Sequence, residues 1–452
     1  MKNEILKLAK ELCQFSTGVV ADENIGLFKR IEKEIELKYI EFKSGSTFNG
    51  WLVPKNWRVK KANIFKDGKL LFNAALNHIG VARYSKSFSG RMSLTELKRH
   101  LVTNPNLPNS TIFHCAWQYR PWDADWAISM PYKVFKRLSS GFYDIELITE
   151  YSNGKMIVAY CDIKGKSNKT IIFNTNNCHP KMANDGFAGT AVLIRLFQWL
   201  KKRKNFYSYK LIIAPEHLGS IFFLSSLKKK ELKNMVCGIF EEMPGNNANA
   251  KVTKTFNGDH IIDEAFKNIF RTKYKKSEIV EWRKGAGNDE TVWESPGYEI
   301  PFVELTRCEN QFEPFKYYHT DHDTVENLSD KKVGEFLMIL QDVIDILEND
   351  QKIFRKFDGL LCLSNPKFNL YKERKDPAIE KNLGDDSEKW GHLLDCLLRY
   401  FNGKHSILEI ANIHDLYFKD LYDYILEFKK KNLVRLVFNE IEKKEIKSFK
   451  KI

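Results

Sequence analysis

The stretch from about residue 142 to residue 350 alternates short apolar strands with helical segments, and this alternation restricts the fold more than any other feature of the chain. Runs such as TIIFNT, KLIIA and PFVELT have the composition of buried strands, whereas AVLIRLFQWLKK shows apolar residues at helical spacing. Alternating strands and helices are typical of a sheet with many parallel strands. We therefore predict an α/β fold with a mixed, mostly parallel sheet flanked by helices.

Changes in composition and in predicted secondary structure divide the chain into four predicted segments. We expect the N-terminal part of the main domain over residues 1–60, a small β-rich inserted domain over 61–140, and the main α/β domain over 141–352. The inserted segment contains turn signals such as NPNLPNS and a run of aromatic residues. After a polar linker, residues 375–452 predict three helices and a terminal hairpin-like element, an order that resembles a winged helix-turn-helix.

Composition sets the broad class of the protein. Apolar residues make up 43% of the chain, and the sequence contains neither a continuous apolar membrane span nor a signal peptide, so we expect a soluble cytoplasmic protein. The eight cysteines include no CxxC pair, which argues against both a disulfide framework and a cysteine zinc finger. The net charge of +14 permits nucleic-acid contact, but lysine is spread along the whole chain. The positive charge is therefore better explained by a general abundance of lysine than by a nucleic-acid binding site.

Four of the predicted strands run into segments that carry imidazole or carboxylate side chains. The carboxyl ends of parallel strands meet at one edge of a sheet, which is where ligands bind in open α/β folds. A mixture of imidazole and carboxylate suits zinc. The candidate ligands, in chain order, are His179, Asp185, His217, Glu242 and His319.

The same set of residues predicts a reaction. One or two zinc ions can bind a scissile carbonyl, hold a water molecule as hydroxide and stabilise the oxyanion. Glu216 directly precedes a candidate ligand and is the predicted general base. Two ions that share one bridging carboxylate would each need further imidazole or carboxylate ligands, and the set supplies that number.

The segments NDGFAG, PEHLGS, EEM and HTDHDT resemble, in this order, the motifs of the co-catalytic zinc aminopeptidases and carboxypeptidases that include bacterial leucyl aminopeptidases. The resemblance implies a zinc-peptidase-like fold, Asp185 as the bridging ligand, Glu216 as the base, and His179 and His319 as the first and last ligands. With two ions, it implies His217 and His319 on one and His179 and Glu242 on the other. His217 stands where the family usually has Glu, and Glu242 stands where it usually has Asp. The short spacing before Asp185 also leaves His179 without the supporting Asp of the family.

The chain is similar over nearly its full length to a subset of aminopeptidase-like proteins associated with bacterial polysaccharide biosynthesis. The similarity rests on GWLVPKNW, YRPWDADWAIS, CHPKMANDGFAG and the C-terminal winged helix. It implies a metallo-aminopeptidase-like hydrolase that acts on a peptide or on an amide-containing glycan precursor. A homo-oligomer is compatible with this interpretation.

Four further residues are candidates for substrate binding. Arg307 precedes the His319 segment and could hold a substrate carboxylate, although a surface salt bridge explains it equally well. Asp289 follows a glycine-rich turn and could bind a free amine. The aromatic cluster Trp117, Tyr119, Trp122 and Trp126 is typical of a small-domain core, but Arg120 and Trp122 become pocket candidates if the inserted domain folds over the metals.

Two functions of different classes are consistent with these patterns. The first is hydrolysis of an amide bond, by removal of an N-terminal residue or by deacylation of an amino-sugar precursor. The alternative is a ligand-sensing regulator in which a degenerate peptidase fold is joined to a winged helix that binds DNA or protein. Asp415, Asp420 and Asp423 interrupt the predicted recognition surface, which argues against a dense basic reading face.

Overall fold

The protein is described from a computed structural model that covers residues 2–372, 385–438 and 440–443. Its N-terminal elements are α1 (Lys2–Leu12), α2 (Glu23–Ile31), β1 (Lys38–Lys43), β2 (Thr47–Phe48) and β3 (Trp51–Leu52). Ile5, Leu8, Ala9 and Leu12 are buried along one face of α1, as their helical spacing predicts. None of the helices in the described ranges combines the length and apolar character that a membrane span requires.

An antiparallel sheet follows in the order β5-β4-β9-β6. The elements of this region are β4 (Asn56–Lys66), β5 (Lys69–Asn73), β6 (Phe88–Ser93), α3 (Leu94–Leu97), β7 (Leu101–Val102), β8 (Ile128–Ser129), α4 (Tyr132–Phe135) and β9 (Phe142–Ser152). The sheet extends beyond the predicted limits of 61 and 140 because β4 and β9 pair along almost their full lengths, from Asn56 opposite Ser152 to Phe65 opposite Asp144. We call residues 56–152 the antiparallel module.

The central sheet has eight strands in the order β1-β10-β12-β11-β13-β16-β14-β15. Its remaining strands and its helices are β10 (Lys155–Ile163), β11 (Thr170–Asn176), α5 (Ala188–Lys201), β12 (Ser208–Ala214), α6 (Leu218–Ser226), α7 (Lys229–Asn234), β13 (Met235–Glu241), β14 (Ala250–Thr253), α8 (Ile261–Thr272), β15 (Glu278–Val280), α9 (Glu290–Trp293), β16 (Phe302–Arg307) and α10 (Asp330–Asn349). The neighbours β12, β11, β13 and β16 are all parallel, and antiparallel pairs lie on either side of them. The predicted fold class is confirmed.

Side chains of the central strands alternate between two apolar layers, as the pleat of a strand requires. Ile171 and Phe173 pack in one layer with residues of α1, α5, α8 and α10. Ile172 lies in the other layer, with residues of α6 and α9. Because both faces are covered, the strands are apolar along their length, and polar side chains concentrate where the strands end.

The C-terminal elements are β17 (Gln351–Arg355), α11 (Asp385–Cys396), β18 (Asn402–Ser406), α12 (Ile407–Ile413), α13 (Phe418–Lys430) and β19 (Val434–Phe438). β17 pairs antiparallel with both β18 and β19. Ile410 and Ile425 belong to the same apolar cluster as the helices on one face of the central sheet. The division into four domains and the winged helix stay predictions, and residues 375–384 and 444–452 of the last predicted domain lie outside the described ranges.

Candidate metal centre

Three predicted ligands converge beyond the carboxyl ends of the parallel strands. His179 follows β11, Asp185 precedes α5, and His319 lies in the loop between β16 and α10. One carboxylate oxygen, Oδ2 of Asp185, lies 3.8 Å from Nε2 of His179 and 3.2 Å from Nε2 of His319. The donor atoms of all three residues lie within 4.8 Å of one another. The structure therefore brings residues that are up to 140 positions apart in the chain to one point.

Asp323, in the segment that carries His319, holds the loop that carries Asp185. Oδ1 and Oδ2 of Asp323 accept hydrogen bonds from the backbone N–H groups of Asn184 (2.8 Å) and Asp185 (2.9 Å). Gly186 follows with φ at 147°, a conformation that favours glycine and lets the chain turn into α5. Our sequence interpretation missed Asp323, although it lies in the HTDHDT motif.

The side chain that orients His179 is Asn176. Its Oδ1 lies 3.2 Å from Nδ1 of His179, and Asn176 itself is the last residue of β11. A partner on Nδ1 orients a histidine ring so that Nε2 faces a metal. Asn176 thus fills the supporting position that the sequence left unidentified.

Oδ2 of Asp185 and Nε2 of His319 are buried 3.2 Å from each other, and neither has any other hydrogen-bond partner among the described residues. Burial alone would raise the pKa of Asp185, but the neighbouring His179 and His319 hold it below its ordinary value, so the carboxyl stays ionised. Buried polar atoms without partners are costly unless a ligand satisfies them. Two imidazoles and an ionised carboxylate with open donor atoms fit a zinc ion.

Glu216 lies beside this cluster at the end of β12. Its Oε2 is 3.8 Å from Nε2 of His179 and accepts a 2.7 Å hydrogen bond from the hydroxyl of Tyr119. Sγ of Cys178 accepts the backbone N–H of Glu216 at 3.4 Å, and burial keeps the pKa of this thiol well above its ordinary value. Tyr119 belongs to the aromatic cluster predicted as a small-domain core, so its contact with Glu216 was not foreseen.

His217 is directed to Asp289. Oδ1 of Asp289 lies 3.2 Å from Nδ1 of His217 and accepts its backbone N–H at 2.6 Å, while Oδ2 accepts the hydroxyl of Ser220. Burial alone would lower the pKa of His217, but the hydrogen bond to Asp289 and the charge of Asp289 raise it to about 9. The side chain of Asp289 is only 2% exposed and its oxygens are occupied by the chain itself. The carboxylate that the sequence offers to a substrate amine is thus engaged by His217 and Ser220, and a substrate role for Asp289 stays a prediction.

Glu242 is buried next to the cluster. Its Oε2 accepts a 3.0 Å hydrogen bond from the side-chain amide of Asn288. Burial raises the pKa of Glu242 well above its ordinary value, and the charges of Glu304 and Asp185 add to this effect. Among the described residues, two groups have donor atoms close enough to share an ion, and neither His217 nor Glu242 belongs to them. His179 and His319 both lie near Oδ2 of Asp185, and their predicted division between two ions stays a prediction.

Arg307 has a structural environment and not a substrate-facing one. The side chain is 0% exposed, donates to the carbonyl oxygens of Pro244 and Ala248 at 2.9 Å each, and forms a 2.7 Å ion pair with Glu335. The guanidinium that the sequence offers to a substrate carboxylate is thus engaged by Glu335 and by backbone carbonyl groups, and a substrate role for Arg307 stays a prediction. Its guanidinium is used to fix the loop after Glu242 against α10.

Arg120 and Trp122 lie on the surface of the antiparallel module. Arg120 is exposed, and Trp122 is 60% exposed. The module does reach the centre through Tyr119 and through Phe113, whose ring lies 5.6 Å from that of His179 and 5.3 Å from that of His319. A substrate role for Arg120 and Trp122 stays a prediction.

A cavity of about 560 Å³ opens beside His217. It lies between α6, α9 and the β2–β3 hairpin, and its lining includes Trp51, Ile221, Arg283 and Tyr298. A cavity of this size is in the range of small-molecule sites.

Comparisons with known proteins are consistent with this architecture. A Clostridium acetobutylicum protein is 27% identical over 415 residues, which cover 90% of each chain, and has the provisional name of a polysaccharide biosynthesis protein with an aminopeptidase-like domain. A crystal structure of a provisionally assigned peptidase from the same organism matches with a TM-score of 0.80 and 25% identity over 96% of each chain.

More distant solved structures share the fold. A zinc aminopeptidase from Bacillus subtilis matches with a TM-score of 0.58 and 12% identity, over 76% of this chain and 94% of the aminopeptidase. Residues 6–350 match the model of a family described as a domain of unknown function, DUF4910. That match spans the strands that carry His179, Asp185, Glu216 and His319, and the chain therefore belongs to the DUF4910 family.

Proposed function

We propose that this protein is a zinc-dependent hydrolase of amide bonds with aminopeptidase-like chemistry. The observation that carries the proposal is the convergence of His179, Asp185 and His319, whose donor atoms lie within 4.8 Å of one another, directly beside the carboxylate of Glu216. Imidazole and carboxylate ligands next to a free carboxylate are the groups that metal-assisted hydrolysis needs. The aminopeptidase-like and peptidase relatives support the same interpretation.

His179, Asp185 and His319 would hold the zinc ion. When bound, zinc polarises a carbonyl group and lowers the pKa of a coordinated water. Asn176 and Asp323 keep the ligands in place through the ring of His179 and the backbone of Asp185. Such outer contacts fix the orientation of metal ligands.

Glu216 is the general base in this proposal. Its side chain is 18% exposed, so it is accessible to water while remaining next to His179. The hydroxyl of Tyr119 binds Oε2 and fixes the orientation of the carboxylate. Glu216 would take a proton from the attacking water and return it to the leaving amine, a role that requires one carboxylate within reach of both groups.

The substrate in this proposal is a peptide or an amide-containing glycan precursor. The relative named for polysaccharide biosynthesis supports the glycan, whereas the peptidase neighbours support the peptide. A panel of aminoacyl, acetyl and glycan amides, assayed with and without added zinc, distinguishes the two. The chain is assayed at full length, since both the module and the central sheet contribute to the centre.

Three variants test the roles of the residues. Glu216→Gln should retain zinc and lose activity by roughly 10²- to 10⁴-fold, because it keeps the shape of the side chain without its basicity. His319→Asn should lose zinc, and asparagine tolerates the positive φ of 53° at this position. His322→Asn is the matched control, since His322 lies in the same loop and is 42% exposed. Zinc content is measured by plasma mass spectrometry.

The proposal fails if zinc-reconstituted wild-type protein retains no zinc after desalting. It also fails if Glu216→Gln hydrolyses the substrate as fast as the wild type does. Loss of zinc from His322→Asn as well would show that the loop, and not His319, determines binding.

A further inference from the structure

His217 lines a cavity that none of the other candidate ligands lines. Its Nδ1 is held 3.2 Å from Oδ1 of Asp289, and its backbone N–H donates to the same oxygen. Among the predicted ligands, His217 alone lines the 560 Å³ cavity between α6, α9 and the β2–β3 hairpin. The ring of His217 therefore borders the cavity, and Asp289 holds it through Nδ1.

The cavity offers no second metal ligand. Of the described residues that line it, His217 is the only histidine, cysteine, aspartate or glutamate. Protein zinc sites use three or four such ligands, so an ion bound by His217 inside the cavity would lack the rest of its coordination shell. A role for His217 toward a ligand other than a metal fits this environment better.

The cluster of His179, Asp185 and His319 is sufficient for one catalytic zinc ion. Catalytic sites commonly have three protein ligands and one open position for water or substrate. A second ion would need further ligands besides Asp185, but both groups of described residues whose donor atoms are close enough to share an ion include His179, and neither includes His217 or Glu242. The ligand arrangement thus matches one ion and not two.

We infer that the centre binds a single metal ion and that His217, positioned by Asp289, contacts the substrate in the adjacent cavity. The inference rests on the proposed function. Because Nδ1 is engaged by Asp289, Nε2 is the ring nitrogen available to a polar group of the substrate. Aromatic side chains such as Trp51 and Tyr298 line the same cavity and would pack against an adjoining apolar or ring portion.

The experiment measures zinc equivalents per full-length chain, after reconstitution with excess zinc and desalting, in the wild type, His217→Asn and His319→Asn. Asparagine is chosen because it is enriched among non-glycine residues at positive φ and both histidines have a φ of 53°; His217 also has a ψ of −64°, outside the left-handed helical region, so the fold of His217→Asn is verified separately. We expect one equivalent in the wild type, one in His217→Asn and none in His319→Asn. With a hydrolysed amide from the substrate panel, kcat/KM of His217→Asn should fall at least tenfold while its zinc content stays unchanged.

The outcomes separate the inference from the proposed function. No zinc in the wild type contradicts the proposed function itself. Two equivalents in the wild type overturn the single-ion inference and leave the hydrolase proposal intact. Loss of zinc in His217→Asn makes His217 a ligand and also overturns the inference, as does an unchanged kcat/KM in this variant. Circular dichroism on each variant verifies that the fold is retained.

Discussion

At the scale of single residues, the candidate metal centre depends on side chains that hydrogen-bond the predicted ligands and the predicted base. Asn176, Tyr119 and Asp323 are not among the predicted ligands, yet they contact His179, Glu216 and the backbone of Asp185. Such supporting contacts fix the orientation of catalytic groups and are part of a functional site. The candidate ligands could therefore be found from their residue types, whereas the residues that support them were found only from their contacts in the structure.

The Tyr119 hydroxyl provides a residue-scale prediction. Tyr119→Phe removes the 2.7 Å hydrogen bond to Glu216 without changing the ring. A hydrogen bond to a charged group contributes roughly 1.5–3 kcal/mol, which corresponds to about a ten- to hundredfold loss in kcat/KM if the bond is needed in the transition state. Tyr143→Phe is the control, because its hydroxyl contacts only the carbonyl of Ser139 within the module. Equal activity of the two variants would contradict a positioning role for Tyr119.

At the scale of elements, the parallel strands bring the site residues together because their carboxyl ends all lie at the same edge of the central sheet. β11, β12 and β13 lead directly into His179, Glu216 and Glu242, and β16 precedes the loop with His319. The helices add stability to this frame. The C-terminal elements are connected to it through the end of α10, where Oδ1 of Asp350 accepts the N–H of Leu408 in α12 at 2.8 Å.

Asp350 predicts a pH dependence of stability at this junction. Burial raises its pKa from 3.8 to about 7 in the folded protein. Between these values the folded state holds a proton that the unfolded state has lost, so the free energy of unfolding falls as pH rises from about 4 to about 7 and then levels off. Each unit of pKa difference corresponds to about 1.4 kcal/mol.

Urea unfolding at several pH values tests this contribution. Asp350→Asn keeps an acceptor for Leu408 but cannot ionise, so its stability should decline less than that of the wild type across this range. Asp358→Asn is the control, because the Asp358 side chain is 99% exposed. Parallel stability curves for the wild type and Asp350→Asn would contradict the expectation.

At the scale of the whole molecule, the antiparallel module holds the loop that carries His319. The backbone N–H of Phe113 donates to the carbonyl of His319 at 2.8 Å, and the N–H of Thr111 donates to Asp321 at 2.9 Å. The amide of Asn77 also donates to Asp321, at 2.7 Å. The ligand loop is therefore supported by a part of the chain that contributes no predicted ligand.

Asn77→Ala tests this long-range support. The variant removes the hydrogen bonds of the Asn77 amide to Asp321 and Thr111 and should loosen the loop around His319. Loss of an outer contact of a metal site commonly weakens metal binding about 10- to 100-fold, and we expect a decrease in that range in zinc competition against a chelator. Asn73→Ala, which removes only the local contact with the N–H of Ala75, should bind zinc like the wild type. Equal affinities of the two variants would exclude the long-range effect.

The sequence by itself determined the fold class and the set of residues at the strand ends. Period and composition distinguish buried parallel strands from amphipathic helices, and parallel strands necessarily end at a common edge. This is why His179, Asp185, Glu216 and His319 could be assigned to one site from residue type and order alone.

Only the tertiary structure decided which side chains face one another. Arg307, His217 and Asp289 have the residue types of a binding site, but Arg307 is enclosed against Glu335, and His217 is anchored on Asp289. Conversely, Tyr119 and Asn77 lie in a module whose contacts with the centre depend on pairings far apart in sequence. Local patterns determine periodicity and burial, whereas the direction of a side chain depends on neighbours that the folded chain brings together.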